Sequence, residues 1–226
     1  MSKITAVVLA AGRGSRMKSD TPKQFLDVNG KPLLAYSLET FEKSEIDQIV
    51  LVTAEESIGL CSDIIKKYTI SKCTDVTAGG SERAISVYNG IKKATGDYVL
   101  IHDGARPLIS EKIIASIIEA LKSHPAVVPV IPVKDTIRQI GPDGSLSDAF
   151  DRSTLFGMQT PQAFKREKFT EAYEKLIADG VDFSKITDDV MIMEKAFGIH
   201  AFPVDGEEMN KKITTPEDLA WLKSLV

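Results

Sequence analysis

The chain has 226 residues, 43% of them hydrophobic and 27% charged, which is enough apolar material for one globular domain with a substantial core. A formal charge of −4 argues against a protein that coats nucleic acid, and no apolar run approaches the roughly 20 residues of a membrane span. Cys61 and Cys73 are too few and too far apart for a CxxC motif or a disulfide framework, so the expectation is a reducing, cytoplasmic compartment without a targeting segment.

Val- and Ile-rich runs predict strands at Ile4 to Leu9, Ile49 to Thr53, Cys73 to Thr77, Tyr98 to His102 and Val127 to Val133. Amphipathic stretches between them predict helices near Pro32 to Lys43, Ser57 to Lys67, Glu82 to Ala94 and Glu111 to Lys122, with Ser81 and Ser110 as N-caps. That alternation means an α/β protein with a mostly parallel sheet. From Asp135 to Met158 the pattern weakens around the turn signal Gly141-Pro142-Asp143-Gly144, which predicts a hairpin arm leaving the sheet. An arm that cannot bury its own faces lends them to a second subunit, so a homodimer is expected. Helical periodicity returns at Glu167 to Ala178 and Asp188 to Ala196, followed by a strand near His200 to Pro203. A last helix opens at Thr215-Pro216-Glu217-Asp218, where Thr suits the N-cap, Pro the first turn and the acids the dipole. The expectation is a single domain over residues 1–226, its arm at about 135–158, with no second catalytic domain fused.

Three loops carry the chemistry. The first strand runs into Leu9-Ala10-Ala11-Gly12-Arg13-Gly14-Ser15-Arg16-Met17, small residues whose amides can approach an anion closely. It lacks the G-x-x-x-x-G-K-[ST] of a P-loop and the third small residue of the dinucleotide fingerprint, which disfavours an NAD-dependent oxidoreductase. It carries instead Arg13, Arg16, Lys18 and Lys23 against the single acid Asp20, a charge suited to a triphosphate; a solvated surface turn is the competing reading for Arg13 and Lys18. The second loop, Ala78-Gly79-Gly80-Ser81, has Arg83 and Ser86 one turn inside the next helix. Backbone amides and a hydroxyl there can read a base or a phosphate, and an ordinary capped turn is the alternative. The third is His102-Asp103-Gly104-Ala105-Arg106-Pro107. Asp103 is placed to bind Mg²⁺ directly or through water, or else simply to pair with Arg106, and His102 reads as a structural donor. Convergence of three such loops at one sheet edge favours a shared site.

Taken together, L-A-A-G-R-G-S-R-M, Thr21-Pro22-Lys23-Gln24-Phe25, Gly79-Gly80, H-D-G-A-R-P, Asp151-Arg152-Ser153, Gln159-Thr160-Pro161-Gln162, Thr187-Asp188-Asp189 and Lys212-Ile213-Thr214-Thr215-Pro216-Glu217-Asp218-Leu219 resemble the 2-C-methyl-D-erythritol 4-phosphate cytidylyltransferase family, in order from about Ile4 to Leu222. The resemblance implies a Rossmann-like nucleotide-diphospho-sugar transferase fold, a homodimer exchanging β-arms, CTP as co-substrate and Mg²⁺ as the ion. It implies that Arg16 and Lys23 stabilise the transition state at the α-phosphate, and that Ala10, Ala11, Gly12 and Gly14 line the nucleotide loop. Gly80, Ser86, Gly104 and Ala105 would hold base and ribose, with Asp103 serving the metal and ribose region. Arg106, Thr136, Arg152, Thr160, Thr187 and Lys212 would surround the polyol phosphate, Arg152 and Lys212 orienting its attack and Arg152 arriving from the partner's arm. The family's N-I-K reads Asn210-Lys211-Lys212 here, so assigning Lys212 rather than Lys211 rests on the following I-T-T-P-E-D-L. A phosphomonoester nucleophile is largely dianionic at neutral pH and needs no general base, in keeping with only three histidines and no hydrolase triad. Alternatives are a ribitol-5-phosphate cytidylyltransferase, similar in the first loop and in Q-T-P-Q, and a catalytically silent nucleotide-binding protein on the same fold.

Overall fold

A computed structural model of the chain describes residues 2–12, 17 and 21–226. Strand β1 (Ile4–Ala10) is buried along most of its length and ends at the small-residue loop. A two-stranded ribbon, β2 (Asp27–Val28) and β3 (Lys31–Pro32), turns at Asn29 and Gly30, both in the left-handed region. Helix α1 (Leu33–Lys43) follows, then β4 (Gln48–Thr53), α2 (Ile58–Lys67), β5 (Cys73–Ala78), α3 (Arg83–Ile91), β6 (Tyr98–Asp103), α4 (Glu111–Leu121) and β7 (Ala126–Pro132). Beyond the arm come β8 (Phe156–Met158), β9 (Gln162–Lys165), α5 (Arg166–Ala178), α6 (Val190–Phe197), β10 (Phe202–Asp205) and α7 (Pro216–Lys223).

The main sheet has the order β10-β7-β9-β6-β1-β4-β5, with β8 beside β7. Among the described residues four of its pairings are parallel, β1 with β4, β1 with β6, β4 with β5, and β7 with β10. The expected mostly parallel sheet is thus interrupted. β9, four residues long, inserts antiparallel between β6 and β7, and β8 also pairs antiparallel with β7. Strand β9 escapes a sequence reading because Gln-Ala-Phe-Lys is too short to show a period. Its central Ala163 and Phe164 are fully buried, one toward each face of the sheet.

Two apolar layers hold the helices against the sheet. Leu34, Leu38 and Phe41 of α1 join Ile113, Ile114 and Ile117 of α4 on one face. Val87 and Ile91 of α3 join Phe169, Tyr173 and Leu176 of α5 on the other. Each set recurs at helical spacing, so burial of one stripe per helix fixes which face turns inward. Gly90 of α3 sits where a Cβ would come within 2.4 Å of Val7 Cγ1, so its missing side chain lets α3 press onto β1.

Most boundaries shift by one or two residues from expectation. Helix α6 begins at Val190 rather than Asp188, and β10 runs from Phe202 rather than His200. Ser110 caps α4 as predicted, its Oγ accepting the Ile113 N–H at 3.2 Å. Ser81 does not cap α3: Glu82 holds that position without a side-chain bond, and Ser86 reaches back from inside the helix, its Oγ accepting the Gly80 N–H at 2.9 Å. The C-terminal signal forms in full. Thr215 and Asp218 make a reciprocal capping box with Pro216 in the first turn.

The arm is a hairpin, as the turn signal predicts. Ile140 bridges Leu146, the Gly141 N–H donates to Ser145 O at 2.8 Å, and Gly144 turns the chain at φ +81°. Further up, the Phe150 N–H donates to Ile137 O at 3.1 Å and the Val133 N–H to Leu155 O at 3.1 Å. Its apolar side chains find no core of their own: Ile140 is 75% exposed and Leu146 64%, and Phe150 and Phe156 are also open to solvent.

Candidate active site

Open α/β sheets bind ligands beyond the carboxyl ends of their strands, and the loops after β1, β5 and β6 converge there. A cavity of about 570 Å³ is lined by Ala10, Ala11, Gly12, Lys23, Gly80, Ser86, Asp103, Ala105 and Lys212 among others. A neighbouring cavity of about 220 Å³ is lined by residues that include Arg106, Thr160, Thr187, Asp188 and Gln159. Three residues belong to both: Arg83, Asp103 and Lys212 form the wall between them.

The larger cavity is shaped by backbone. A Cβ on Gly80 would meet Ile85 Cγ2 at 2.3 Å, so the loop tolerates only glycine at that close approach. The Ser86 hydroxyl accepts from Gly80 and donates to Glu82 O at 3.1 Å, so it shapes the loop rather than pointing free into the cavity. Gly104 also sits tightly, 3.0 Å from Leu9 O at its would-be Cβ, and its N–H donates to the same carbonyl at 2.9 Å, tying the end of β6 to the end of β1. Gln24, 3% exposed, donates from Nε2 to Ala10 O at 2.5 Å and so anchors the segment carrying Lys23 to the end of β1. Lys23 Nζ reaches Ile213 O at 3.3 Å, which places it beside the stretch that presents Lys212.

Asp103, at the end of β6, is the electrostatic centre of the wall. Its Oδ1 accepts from Arg83 Nη2 at 3.2 Å and its Oδ2 lies 2.7 Å from Lys212 Nζ. Burial opposes its ionisation, but Arg83, Lys212 and Arg106 outweigh burial and hold the carboxyl well below the usual carboxylate range. The alternative of a simple Asp103–Arg106 pair is therefore corrected: Asp103 engages Arg83 and Lys212, while Arg106 Nη1 donates to Asn210 O at 2.7 Å. The same geometry separates the two adjacent lysines. Lys211 turns away to Asp218 at 2.6 Å, over the Trp221 ring, and Lys212 faces the site.

His102 is fully buried and structural. Its Nδ1 lies 3.1 Å from Thr160 Oγ1 and its Nε2 3.1 Å from Arg106 O, and Thr160 Oγ1 also accepts the Asp103 N–H at 3.1 Å. Burial pushes the ring down to about 4, so it is neutral at pH 7. Thr160 thus serves the backbone of the third loop as well as lining the smaller cavity. Thr187, exposed, directs its hydroxyl to Met191 Sδ at 3.2 Å.

Not every expected residue is brought in. Thr136 and Arg152 line neither cavity; both are exposed on the arm, and Arg152 Nη1 donates to Lys134 O at 2.6 Å. Gly14 and Arg16, with Arg13 and Lys18, lie outside the described residues. Conversely, the geometry adds Arg83 and Asp189, joined by two hydrogen bonds of 2.9 and 2.8 Å, and Asn210, whose Nδ2 donates to Thr160 O at 2.9 Å. Nothing in the local pattern signals these contacts, although Asp189 ends the Thr187-Asp188-Asp189 string and Arg83 follows the glycine pair.

Known proteins match this arrangement from end to end. The family model for 2-C-methyl-D-erythritol 4-phosphate cytidylyltransferase matches residues 4–226. A protein of that name from Lachnoclostridium phytofermentans is 42% identical over 228 residues, covering 100% of this chain and 97% of that one. Among solved structures, 4-diphosphocytidyl-2C-methyl-D-erythritol synthase from Anaerococcus prevotii superposes with a TM-score of 0.85 at 32% identity, covering 99% of this chain and 97% of that chain. The 2-C-methyl-D-erythritol 4-phosphate cytidylyltransferase of Thermus thermophilus superposes at 0.80 with 28% identity, over 99% and 98%. With the whole described fold and both cavities inside the matched span, the chain belongs to the 2-C-methyl-D-erythritol 4-phosphate cytidylyltransferase family.

Proposed function

We propose that the two cavities divide one cytidylyl transfer between them, the larger taking CTP and the smaller the phosphate of 2-C-methyl-D-erythritol 4-phosphate. The enzyme joins these substrates to give 4-diphosphocytidyl-2-C-methyl-D-erythritol and pyrophosphate, a step of non-mevalonate isoprenoid precursor biosynthesis. The observation that carries the division of labour is the shared wall: Asp103 and Lys212, 2.7 Å apart, face both cavities, where the acceptor oxygen must meet the α-phosphate.

The difficulty of this reaction is charge. A dianionic acceptor must approach a triphosphate, and negative charge builds on the bridging oxygen as pyrophosphate leaves. Lys23 is assigned to the α-phosphate with Arg16, and Lys212 to the acceptor with Arg106. Each acts as a preorganised cation, with no covalent or base chemistry. Ala10, Ala11, Gly12 and Gly14 are assigned to the phosphates through their amides; Gly80, Ser86, Gly104 and Ala105 are assigned to base and ribose. Thr160 and Thr187 flank the polyol phosphate.

Among the described residues no group of three or more His, Cys, Asp or Glu side chains can hold a metal alone. Asp103 with triphosphate oxygens is the hard-oxygen donor set that Mg²⁺ accepts, since that ion is commonly held by one or two carboxylates plus phosphates. When bound, Mg²⁺ supplies charge that offsets that of the triphosphate. Thr136 and Arg152 are assigned to the site of a second copy, carried there by the arm. The exposure of Ile140, Leu146, Phe150 and Phe156 supports such a homodimer. Residues 1–226 are read as one cytidylyltransferase domain working in the cytoplasm.

The test is pyrophosphate release with Mg²⁺, crossing CTP, UTP and ATP against methylerythritol 4-phosphate and ribitol 5-phosphate. Release only with CTP and methylerythritol 4-phosphate is expected. Release with the ribitol ester would move the acceptor assignment, and nucleotide binding without release from any pair would make the chain a silent binder.

A further inference from the structure

The wall between the cavities has a support whose parts come from distant stretches of chain. Asp189, 1% exposed, stands just before α6. Its backbone N–H and that of Val190 both donate to Gln162 Oε1 of β9, at 2.9 and 3.1 Å, so its position is set by the sheet. Its carboxylate accepts from Arg83 Nη1 at 2.9 Å and Nη2 at 2.8 Å, a bidentate pair along one edge of the guanidinium. Along the next edge, Arg83 Nε and Nη2 donate to Asp103 Oδ1 at 3.3 and 3.2 Å. A planar fork is the side chain that can meet two carboxylates along two edges at once; an ammonium is a point charge and cannot.

The order of constraint follows from burial. Asp189 is sealed behind the site, so Arg83 is fixed from the back and presents its other edge to Asp103 at the front. Asp103 then keeps Oδ2 for Lys212. Without Asp189, Arg83 would be at liberty to close on Asp103 or on an incoming phosphate; without Arg83, Asp103 would keep only Lys212 of its two ion pairs among the described residues. Either loss moves the two groups that face both substrates.

We infer that Arg83 and Asp189 are positioning residues for the transfer: Asp189 orients Arg83, and Arg83 holds Asp103, and through it Lys212, at the junction of the two cavities. The inference rests on the assignment of the junction as the place of cytidylyl transfer. Because Arg83 acts through Asp103, its loss lowers kcat and leaves CTP affinity nearly intact.

The experiment compares Arg83→Gln, Asp189→Asn, Arg83→Lys and the double variant Arg83→Gln with Asp189→Asn in the full chain. Pyrophosphate release from CTP and methylerythritol 4-phosphate, CTP binding by calorimetry without acceptor, and thermal unfolding are measured on each. Each single variant is expected to lose about 100-fold in kcat, the scale of a misplaced reacting group, while the CTP dissociation constant stays within about threefold. Arg83→Lys is expected to remain as slow as Arg83→Gln. The double variant replaces a buried ion pair by a neutral amide pair, so it regains melting temperature lost by either single variant. It should not regain turnover, and its kcat should match the worse single variant, as for residues acting in one chain. Recovery of kcat along with melting temperature would reduce the pair to a structural brace. Rescue by lysine, or a CTP affinity that falls in step with kcat, would make Arg83 a charge or a direct nucleotide ligand and overturn the inference. If the unmodified protein releases no pyrophosphate, the assignment of function fails instead, a result separable from any of these.

Discussion

The sheet edge and the arm hold their polar groups in opposite ways. At the sheet edge, nearly every group has a partner within the same chain: Asp103 meets Arg83 and Lys212, Thr160 meets His102, and the Gly80 amide meets Ser86. On the arm, the Arg152 side chain bonds to the nearby Lys134 carbonyl, Thr136 lies open, and large apolar side chains face solvent. The contrast separates groups preorganised by one fold from residues that the same fold leaves exposed. Preorganised charge is effective because it costs no rearrangement at the moment of reaction, and the arm lacks that property in isolation.

The strongest way to sharpen the contrast is to remove the lysine of the wall. Lys212→Ala is expected to reduce turnover by roughly 100-fold to 1,000-fold, as losing one preorganised charge does elsewhere, with Lys211→Ala as the control that stays close to unmodified rates. Arg152→Ala is expected to cost about 100-fold through acceptor orientation, but with a distinctive remedy. Mixing Arg152→Ala with Lys212→Ala subunits and letting them exchange should restore about a quarter of normal activity, because half the dimers of a random mixture are hybrids with one intact site. Absence of any recovery after exchange would mean that Arg152 serves its own subunit.

The remaining two tests probe only the sheet side, through stability. Burial holds His102 neutral down to about pH 4, whereas an unfolded histidine takes up a proton near 6.5. The folded state therefore has the full benefit above about pH 6.5, loses it as pH falls through that interval, and is flat below it. The loss amounts to about 3 kcal/mol at most. Urea midpoints between pH 7 and 4 should fall more steeply in the unmodified protein than in His102→Gln. Smallest is Thr215→Ala, which removes one half of the capping box of α7 and should cost about 1 kcal/mol in urea unfolding, with little change in turnover.

How much of this was legible in the sequence depends on the range of the interaction. The Thr215 start signal and the Ser110 cap are decided within four residues, and both form. The placement of Asp103 and Gly80 at one edge follows from strand-loop-helix order, which residue types report well, whereas Lys212 was reached only through the family resemblance. Lys212 could be told from Lys211 by the string that follows it, and the structure turns the two apart in that sense. The Arg83–Asp189 pair is invisible because its members are separated by more than a hundred residues and neither belongs to a periodic pattern. Ser81 misled because a serine before a helix is the usual cap, while here Ser86 satisfies the loop amide from within. β9 was hidden by its brevity.

That four-residue strand also bears on the order in which the sheet can close. Strands β1, β4, β5 and β6 pair only among themselves until Gln162–Lys165 arrives, and β7 is not adjacent to β6. During synthesis a four-stranded parallel sheet can form early, but one long edge of β6 stays open until β9 has left the ribosome. An open edge is a template for pairing with another chain. Fragments truncated before Gln162 would therefore be more prone to self-association than the full chain, and the wall of the active site, which depends on Asp189 and Lys212, would be assembled only after the sheet has closed.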